Sequence, residues 1–396
     1  MGRLVVVGAG MAAARLVARL LELDAPWRIT LVGEEPALCY NRVLLSSLLA
    51  GQCQRSDLAL LTPRQLDRVE CLAGARAVAL DLARRTLSLA DGRRLSWDRL
   101  VLATGARTRR PEIPGAAAAG VLAFRTLEDL DALRAGVAGG APAVVVGGGL
   151  LGLEAAAGLA ALGAAVTVVH RRPHPMNRQL DAPAGELLRS RLAERGIAFR
   201  TGTPLRIAGR GGRAAAVELA DGARLPARWV VWATGIEPAA ELARSAGLPC
   251  GRGVRVDGFL ATAASGVYAL GECCELDGQT FGLVAPVYRQ AEVLAARLAG
   301  RAVAPFRPRA EATRLKIAGI DLFSVGTPPG AGEAVSDLCV CDPARGVYRR
   351  LAFQGGRLAA AIFLGDLSGA ARCEALLASG EPAGAAGEAL LFGIAA

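Results

Sequence analysis

The chain has 396 residues, 53% hydrophobic and 21% charged, so it is neither disordered nor too short for roughly two to three domains with cores of their own. Its net charge of +10 comes almost entirely from arginine, since Lys316 is the only lysine; the arginines are scattered, aromatics are 4%, and no element has the form of a nucleic-acid reader. No stretch of ~18 uninterrupted apolar residues occurs, so no membrane span is expected.

The first predicted unit is "RLVVVGAGMAAARLVARL", Arg3 to Leu20, a buried strand, a glycine turn and a small-residue helix. A second strand, "RITLVGEE", ends at Glu35, and "CYNRVLLSSLL" follows it. A β-rich stretch with an Asp91-Gly92 turn then leads to the apolar strand "LVLATGA", Leu100 to Ala106. The same order repeats. "AVVVGGGLLGLEAAAGLAALG", Ala143 to Gly163, is followed by "AVTVVHRR" ending at Arg172, an Asp221-Gly222 turn and "VVWATGI", Val230 to Ile236. Each repeat is a βαβ unit at the front of a doubly wound sheet. Next come "GVRVDGFLATAASGVYALGE", with a small strand at Tyr268 to Leu270, and a helix through "YRQAEVLAARLAG". From about Pro305 the chain reads as a β-rich tail: "LKIAGIDLFSVG" and "YRRLAFQGGRLAAAIFLGD" as alternating strands with a Gly-Gly turn, then "EALLASGEP" as a short helix. The last dozen residues carry no signal.

The first loop, Gly8-Ala9-Gly10-Met11-Ala12-Ala13, has the G-x-G-x-x-G/A form. Gly8 permits the tight turn, Gly10 lets the backbone approach a pyrophosphate, and Ala13 keeps the helix close to the sheet, whose N-terminal amides face the phosphates. Glu34, at the end of the second strand, is placed to hold the ribose hydroxyls of an adenosine. The second loop, Gly147-Gly148-Gly149-Leu150-Leu151-Gly152, has the same mechanics. Its second strand ends in His170-Arg171-Arg172, without an acid. An acid there would repel the 2′-phosphate of NADP, whereas arginine can pair with it, so NADPH is admitted beside NADH; the alternative is that these arginines are surface charge. Two loops imply two dinucleotides.

Two βαβ units, two Ala-Thr-Gly strands and the late "TAASGVYALGE" together give a layout that resembles the two-dinucleotide-binding flavoprotein disulfide-reductase superfamily, over residues 3 to about 380. "EEPALCYNRVLLSSLLAG", "GECCELDGQTFGLVAPVYRQAEVLA" and "LKIAGIDLFSVG" resemble the flavin half of the assimilatory NAD(P)H nitrite reductase large subunit and the electron-transfer subunit of assimilatory nitrate reductase, with rubredoxin and ferredoxin reductases nearby. The resemblance implies an α/β fold with two Rossmann-like, doubly wound nucleotide-binding domains (glutathione-reductase-like) and a small C-terminal α+β domain. The expected boundaries are 1–112 and 245–304 for the two parts of an FAD-binding domain, 113–244 for an NAD(P)-binding domain and 305–396 for the C-terminal domain.

It also implies roles. Glu272, after Gly271, stands where the superfamily holds the flavin ribitol with an acid; a helix N-cap is the alternative reading. Tyr40 and Arg42 match a Tyr-x-Arg segment in which the arginine meets the flavin or its phosphates, and Ser46 matches a nearby polar position, whereas Ser47 departs from relatives with lysine. Thr104 and Gly105, with Ala103, line the adenosine side, and the helix start at Ala285 to Val287 lies near the flavin pyrimidine. Glu35, Ala77, Glu154, Ala233, Thr234 and Gly235 complete the candidate cofactor-binding set, and no metal ligand or catalytic side chain is assigned.

The nine cysteines show no CxxC pair, which argues for a reducing cytoplasm, and the apolar start has no signal-peptide cleavage site. Superfamily members that reduce disulfides carry a CxxxxC pair, and Cys39 has no partner at that spacing. Cys273 and Cys274 read as small buried residues beside the flavin, and the CxC of Cys339 and Cys341 reads as packing on a strand. The two histidines, His170 and His174, lie in the second nucleotide unit and offer no zinc site. Electrons are therefore expected to pass from NAD(P)H through FAD to a separate acidic or metal-centred redox protein or reductase subunit, with no further redox region before Ala396. A flavin redox sensor without turnover stands as the alternative, and a homodimer is left open.

Overall fold

The structure is a computed structural model that describes residues 1–137, 139–317, 319–326, 335–382 and 386–392. They gather into two compact units. The first is Met1–Arg109 with Arg125–Leu127 and Gly235–Pro308; the second is Arg110–Phe124 with Glu128–Thr234 and Arg309–Ala396.

The first unit is built on a five-stranded parallel sheet in the order Val267–Ala269, Arg99–Leu102, Gly2–Val7, Trp27–Val32, Glu70–Leu72. Leu4 to Val7 are all buried, as a parallel strand covered on both faces requires. Helix Met11–Glu22 buries Ala13, Ala14, Leu16, Val17, Leu20 and Leu21, the 3.6-residue spacing of one face. Helix Val284–Leu298 packs beside it, tied by the Arg15–Glu292 ion pair at 2.5 Å and by the Trp27 indole donating to Leu298 O at 2.7 Å. The Asp91-Gly92 turn closes a small antiparallel sheet, Ala77–Asp81, Thr86–Leu89 and Arg94–Ser96.

The second unit repeats the design with the parallel order Ile197–Thr201, Ala165–His170, Pro142–Val146, Trp229–Trp232, Val121–Ala123. It also holds a five-stranded antiparallel sheet, ordered Thr313–Ile317, Ile320–Gly326, Arg357–Leu364, Val347–Gln354, Val335–Asp342. The Gly-Gly turn forms as expected: Gly355 and Gly356 have φ of 57° and 74°, the left-handed pair that a type I′ hairpin needs. One sheet face buries Phe323, Leu351 and Phe363 against Cys373 and Leu376 of helix Ala370–Ser379.

Two readings are corrected. A helix, Ala386–Leu391, forms inside the last dozen residues, where no signal was visible; six residues make no helix by propensity, and Leu390 and Leu391 are held by burial in the C-terminal core. Cys339 and Cys341 are exposed and not packed into a core: on the edge strand Val335–Asp342 they alternate with Leu338 and Val340, which turn to the C-terminal core.

Candidate functional site

Both glycine loops lie at the carboxyl ends of parallel strands, beside the point where strand order reverses. In the first unit, Val7 and Leu102 are paired, and Leu102 pairs in turn with Ala269, so Gly8 and Ala103 emerge side by side, with Gly271 one residue further along its own strand end. Gly8 has φ +106°, and a Cβ there would collide with the Ala103 carbonyl. The second loop is built alike: Gly147 has φ +123°, and its Cβ would collide with the Ala233 carbonyl. The Ala-Thr-Gly strands are thus the floor on which each glycine turn rests. Helices Met11–Glu22 and Leu150–Ala161 are capped by Gly10 and Gly149, with no side chain on their first amides. Met11, Ala12 and Ala13, and Leu150 and Leu151 with Gly152, therefore begin each helix with donors for an anion.

Charged side chains close over the first loop. The Nε of Arg42 lies 4.0 Å from where a Gly10 Cβ would be. Its guanidinium pairs with Glu35 and donates to the Tyr40 hydroxyl at 2.8 Å and to Arg125 O at 2.8 Å; Tyr40 OH donates to Glu35 at 2.6 Å. Arg125 in turn pairs with Glu272, with Gly105 against both: a Gly105 Cβ would lie 3.8 Å from each. Gly271 N–H donates to the Gln290 amide oxygen at 2.7 Å, and a Gly271 Cβ would stand 2.9 Å from the Ala12 Cβ. Glu272 is thus fixed at the mouth of the loop and is no helix cap; it lies within the short turn Gly271–Cys273.

Of the two adjacent acids, Glu35 faces the loop. Glu34 is two-thirds exposed and lies 3.6 Å from Arg76. The Thr104 hydroxyl donates to Ala239 O at 2.6 Å, and Gly105 O accepts from Ala239 N, so both residues shape the first unit's wall. Ser46 lies in helix Leu45–Leu49 and Ala285 in the first, uncapped turn of helix Val284–Leu298. Ala77 begins a strand of the small antiparallel sheet, next to Arg76. In the second unit, His170 ends its strand beside Gly148 while Arg171 and Arg172 are exposed, and Ala233 and Thr234 lead out of strand Trp229–Trp232 towards Gly235. Burial pushes the Glu154 carboxyl up to about 7.

Arg125 and Gln290 were missed by sequence reasoning. The signal for Arg125 is the one that marks Glu272, a charged residue directly after a buried apolar strand, here Val121–Ala123 and Phe124. The thiols near the loop are not poised for chemistry. Cys39 is buried, with its N–H donating to Ala9 O at 2.8 Å, and burial pushes its thiol up to about 12. Cys273 and Cys274 are fully buried and likewise raised. Among the described residues, no group of three or more His, Cys, Asp or Glu could hold a metal, and no helix is long and apolar enough to cross a membrane.

Two glycine cradles of one design, each on a parallel sheet with an Ala-Thr-Gly floor, agree with what comparison with known proteins finds. The family model of pyridine nucleotide-disulphide oxidoreductases matches residues 2–296. The chain belongs to that family. A second model, the rubredoxin NAD+ reductase C-terminal domain, matches residues 312–381. This pyridine nucleotide-disulphide oxidoreductase is 37% identical, over 92% of its length, to the assimilatory nitrate reductase electron transfer subunit of Bacillus subtilis (strain 168), of which it covers 48%. It is 35% identical to the biphenyl dioxygenase system ferredoxin–NAD(+) reductase component of Paraburkholderia xenovorans (strain LB400), covering 83% of this chain and 82% of that one. The solved ferredoxin reductase for the CYP199A2 system from Rhodopseudomonas palustris superposes with a TM-score of 0.83 at 30% identity, covering 92% and 91% of the two chains. The chain spans about half the length of the nitrate and nitrite reductase relatives it matches. Membership makes it an FAD-dependent oxidoreductase of the NAD(P)H-using kind, and the residues present fit both nucleotides: Cβ-free cradles and helix starts free of side-chain caps in both units, with acids at the strand ends of the first.

Proposed function

We propose that this chain takes reducing equivalents from NAD(P)H and passes them, through FAD, to a separate redox protein or reductase subunit in assimilatory nitrate or nitrite reduction. The observation that carries this is the pair of like cradles, one of which is bordered by the Glu35–Arg42 and Arg125–Glu272 pairs. FAD, when bound, supplies the chemistry of accepting hydride and releasing electrons. The protein's part is positioning. Gly8, Gly10 and the amides of Met11, Ala12 and Ala13 receive the pyrophosphate, with Arg42 above them. Glu35, in place of Glu34, holds the adenosine ribose, and Glu272, steadied by Arg125, accepts from the ribitol. The second cradle receives NAD(P)H, with Arg171 or Arg172 at the 2′ position. Cys39, Cys273 and Cys274 are buried with their thiols raised, so these three offer no thiolate relay beside the first loop, in keeping with electrons passed on to a separate acceptor.

The domains proposed are 1–112 and 245–304 for FAD, 113–244 for NAD(P) and 305–396 for the C-terminal α+β domain. The acceptor is an acidic or metal-centred protein, the arginine-rich surface favouring the former, and the setting is the cytoplasm, as a monomer or homodimer. A second reading, a rubredoxin or ferredoxin reductase, is favoured by the match of residues 312–381 to the rubredoxin reductase C-terminal domain. Anaerobic addition of NADH or NADPH to the purified yellow protein should bleach its visible absorbance, and ferredoxin, rubredoxin or a nitrite reductase catalytic partner should restore it. Protein that carries no FAD, or a flavin that neither coenzyme bleaches, would overturn the proposal; the acceptor that restores colour fastest decides between the two readings.

A further inference from the structure

His170 stands where a ribose-holding acid would end the second strand of the second nucleotide unit, yet both its ring nitrogens are taken by the protein. Gly148 N–H donates to Nδ1 at 3.2 Å, so Nδ1 carries no proton. The proton is then on Nε2, which lies 2.9 Å from Asn177 Oδ1 and donates to it. The other polar group of the same glycine is held too, Gly148 O accepting from Met176 N at 2.7 Å. Met176 is buried and adopts φ 53°, so the segment after the strand turns back to grip the loop from both sides. Gly148 lets the ring come this close: a Cβ there would stand 3.1 Å from His170 Cγ and 3.2 Å from Phe199 Cε2. Phe199, on the neighbouring strand, meets the imidazole edge-on, with centroids 6.3 Å apart.

We propose that His170 is a positioning residue: as a neutral ring between Gly148 and Asn177 it props the second glycine loop in the shape that receives the coenzyme, and coenzyme affinity falls when the ring takes a second proton. A proton on Nδ1 would set two donors face to face and break the bond to Gly148. The charged and titratable groups that act on the ring are Arg171, His174 and Arg172, each of which disfavours a cation there; the hydrogen bond to Asn177 acts the other way, and Phe199 is uncharged. Burial is the largest effect, acts in the same direction as these cations and holds His170 below the ordinary histidine range, so the neutral ring is the favoured form at pH 7. The inference rests on the reading that this loop binds NAD(P)H.

The test is calorimetric binding of NAD+ to the FAD-loaded protein between about pH 5.5 and pH 8. NAD+ is chosen because it has no 2′-phosphate to titrate. His170→Asn keeps an acceptor near Nδ1 and cannot protonate; His170→Leu removes the acceptor. Glu154 titrates in the same range, so the quantity read is the ratio of wild-type to His170→Asn Kd. That ratio should be near one at pH 8 and rise as the pH falls towards 5.5, while His170→Leu binds roughly fivefold to tenfold more weakly than His170→Asn at every pH, the worth of one hydrogen bond. A ratio that stays at one throughout, or a His170→Asn protein as weak as His170→Leu at pH 8, would overturn the proposal. Retention of FAD, seen in the visible spectrum, shows that each protein is folded. Wild-type protein that holds FAD but binds neither NAD+ nor NADP+ would instead bring down the reading of the second loop, and this inference with it.

Discussion

Arg125 and Glu272 are 147 residues apart and meet at the mouth of the first glycine loop, with side chains 17% and 25% exposed. A half-buried pair differs from a surface pair in that removing one member strands the other away from water. Arg125→Ala should therefore weaken FAD by about 1.5–3 kcal/mol, roughly tenfold or more in Kd, read from the return of flavin fluorescence on dilution. Adding Glu272→Ala to it should cost less than the sum of the two single changes, and an unchanged Kd in Arg125→Ala would remove that residue from the site. Glu154 gives a prediction of opposite sign. Its folded value of about 7 lies above the ordinary value of 4.5, so the folded protein holds the proton more tightly than the unfolded chain. Stability falls as pH rises from about 4.5, and the loss is complete above about pH 7. Glu154→Gln should match wild type in urea near pH 4.5 and exceed it at pH 8 by on the order of 1–3 kcal/mol; equal midpoints at pH 8 would show that the carboxyl ionises without cost.

At the scale of the element, the two glycine loops differ in their third position. Ala13 fits the first, fully buried; in the second, a Cβ on Gly152 would collide with the Gly147 carbonyl. The helix following Gly149 thus sits closer to its own turn than the helix following Gly10. Gly152→Ala should force the turn open and raise the coenzyme Kd by roughly tenfold or more, with FAD retained. Ala13→Gly removes a buried methyl and loosens a helix, which should cost about 1 kcal/mol of stability while leaving the cradle's shape intact. If Gly152→Ala binds coenzyme as wild type does, the closeness of helix and turn is not what shapes that cradle.

On the largest scale, the second unit joins a parallel nucleotide fold to an antiparallel sheet, with one carboxylate at the centre of the joint's hydrogen bonds. Asp181 caps helix Ala182–Ala193 by accepting from Ala184 N at 3.1 Å, and its other oxygen accepts from Tyr348 OH at 2.6 Å and Arg350 at 3.1 Å. Ser324 adds a bond to Gln179 O at 2.8 Å, and Arg191 donates to the carbonyls of Pro343 and Ala344. The sheet face turned to the nucleotide fold sets these polar groups among buried Leu322, Ile362 and Leu364, and the opposite face carries Phe323, Leu351 and Phe363. Asp181→Ala should lower the unfolding free energy by about 2–4 kcal/mol, because it removes a cap and leaves a buried tyrosine hydroxyl without its acceptor. Tyr348→Phe should cost about 1 kcal/mol in wild type and close to nothing in Asp181→Ala; full additivity of the two would mean that the bond contributes nothing to the joint.

What the sequence determined by itself was whatever depends on neighbours along the chain. The strand–glycine–helix units, the Asp-Gly and Gly-Gly turns and the Ala-Thr-Gly floors all follow from hydrophobic period and from backbone angles that only glycine adopts easily. These place Gly8, Gly147, Ala103 and Ala233 with no knowledge of the rest. The tertiary structure alone decided which of two adjacent acids turns inward, since Glu35 differs from Glu34 only in meeting Arg42 and Tyr40. It alone brought Arg125 to Glu272, exposed Cys339 and Cys341 on an edge strand, and set His170 against Gly148. The physical reason is the same in each case: a side chain's environment is set by the element packed against it, and that element comes from a distant part of the chain.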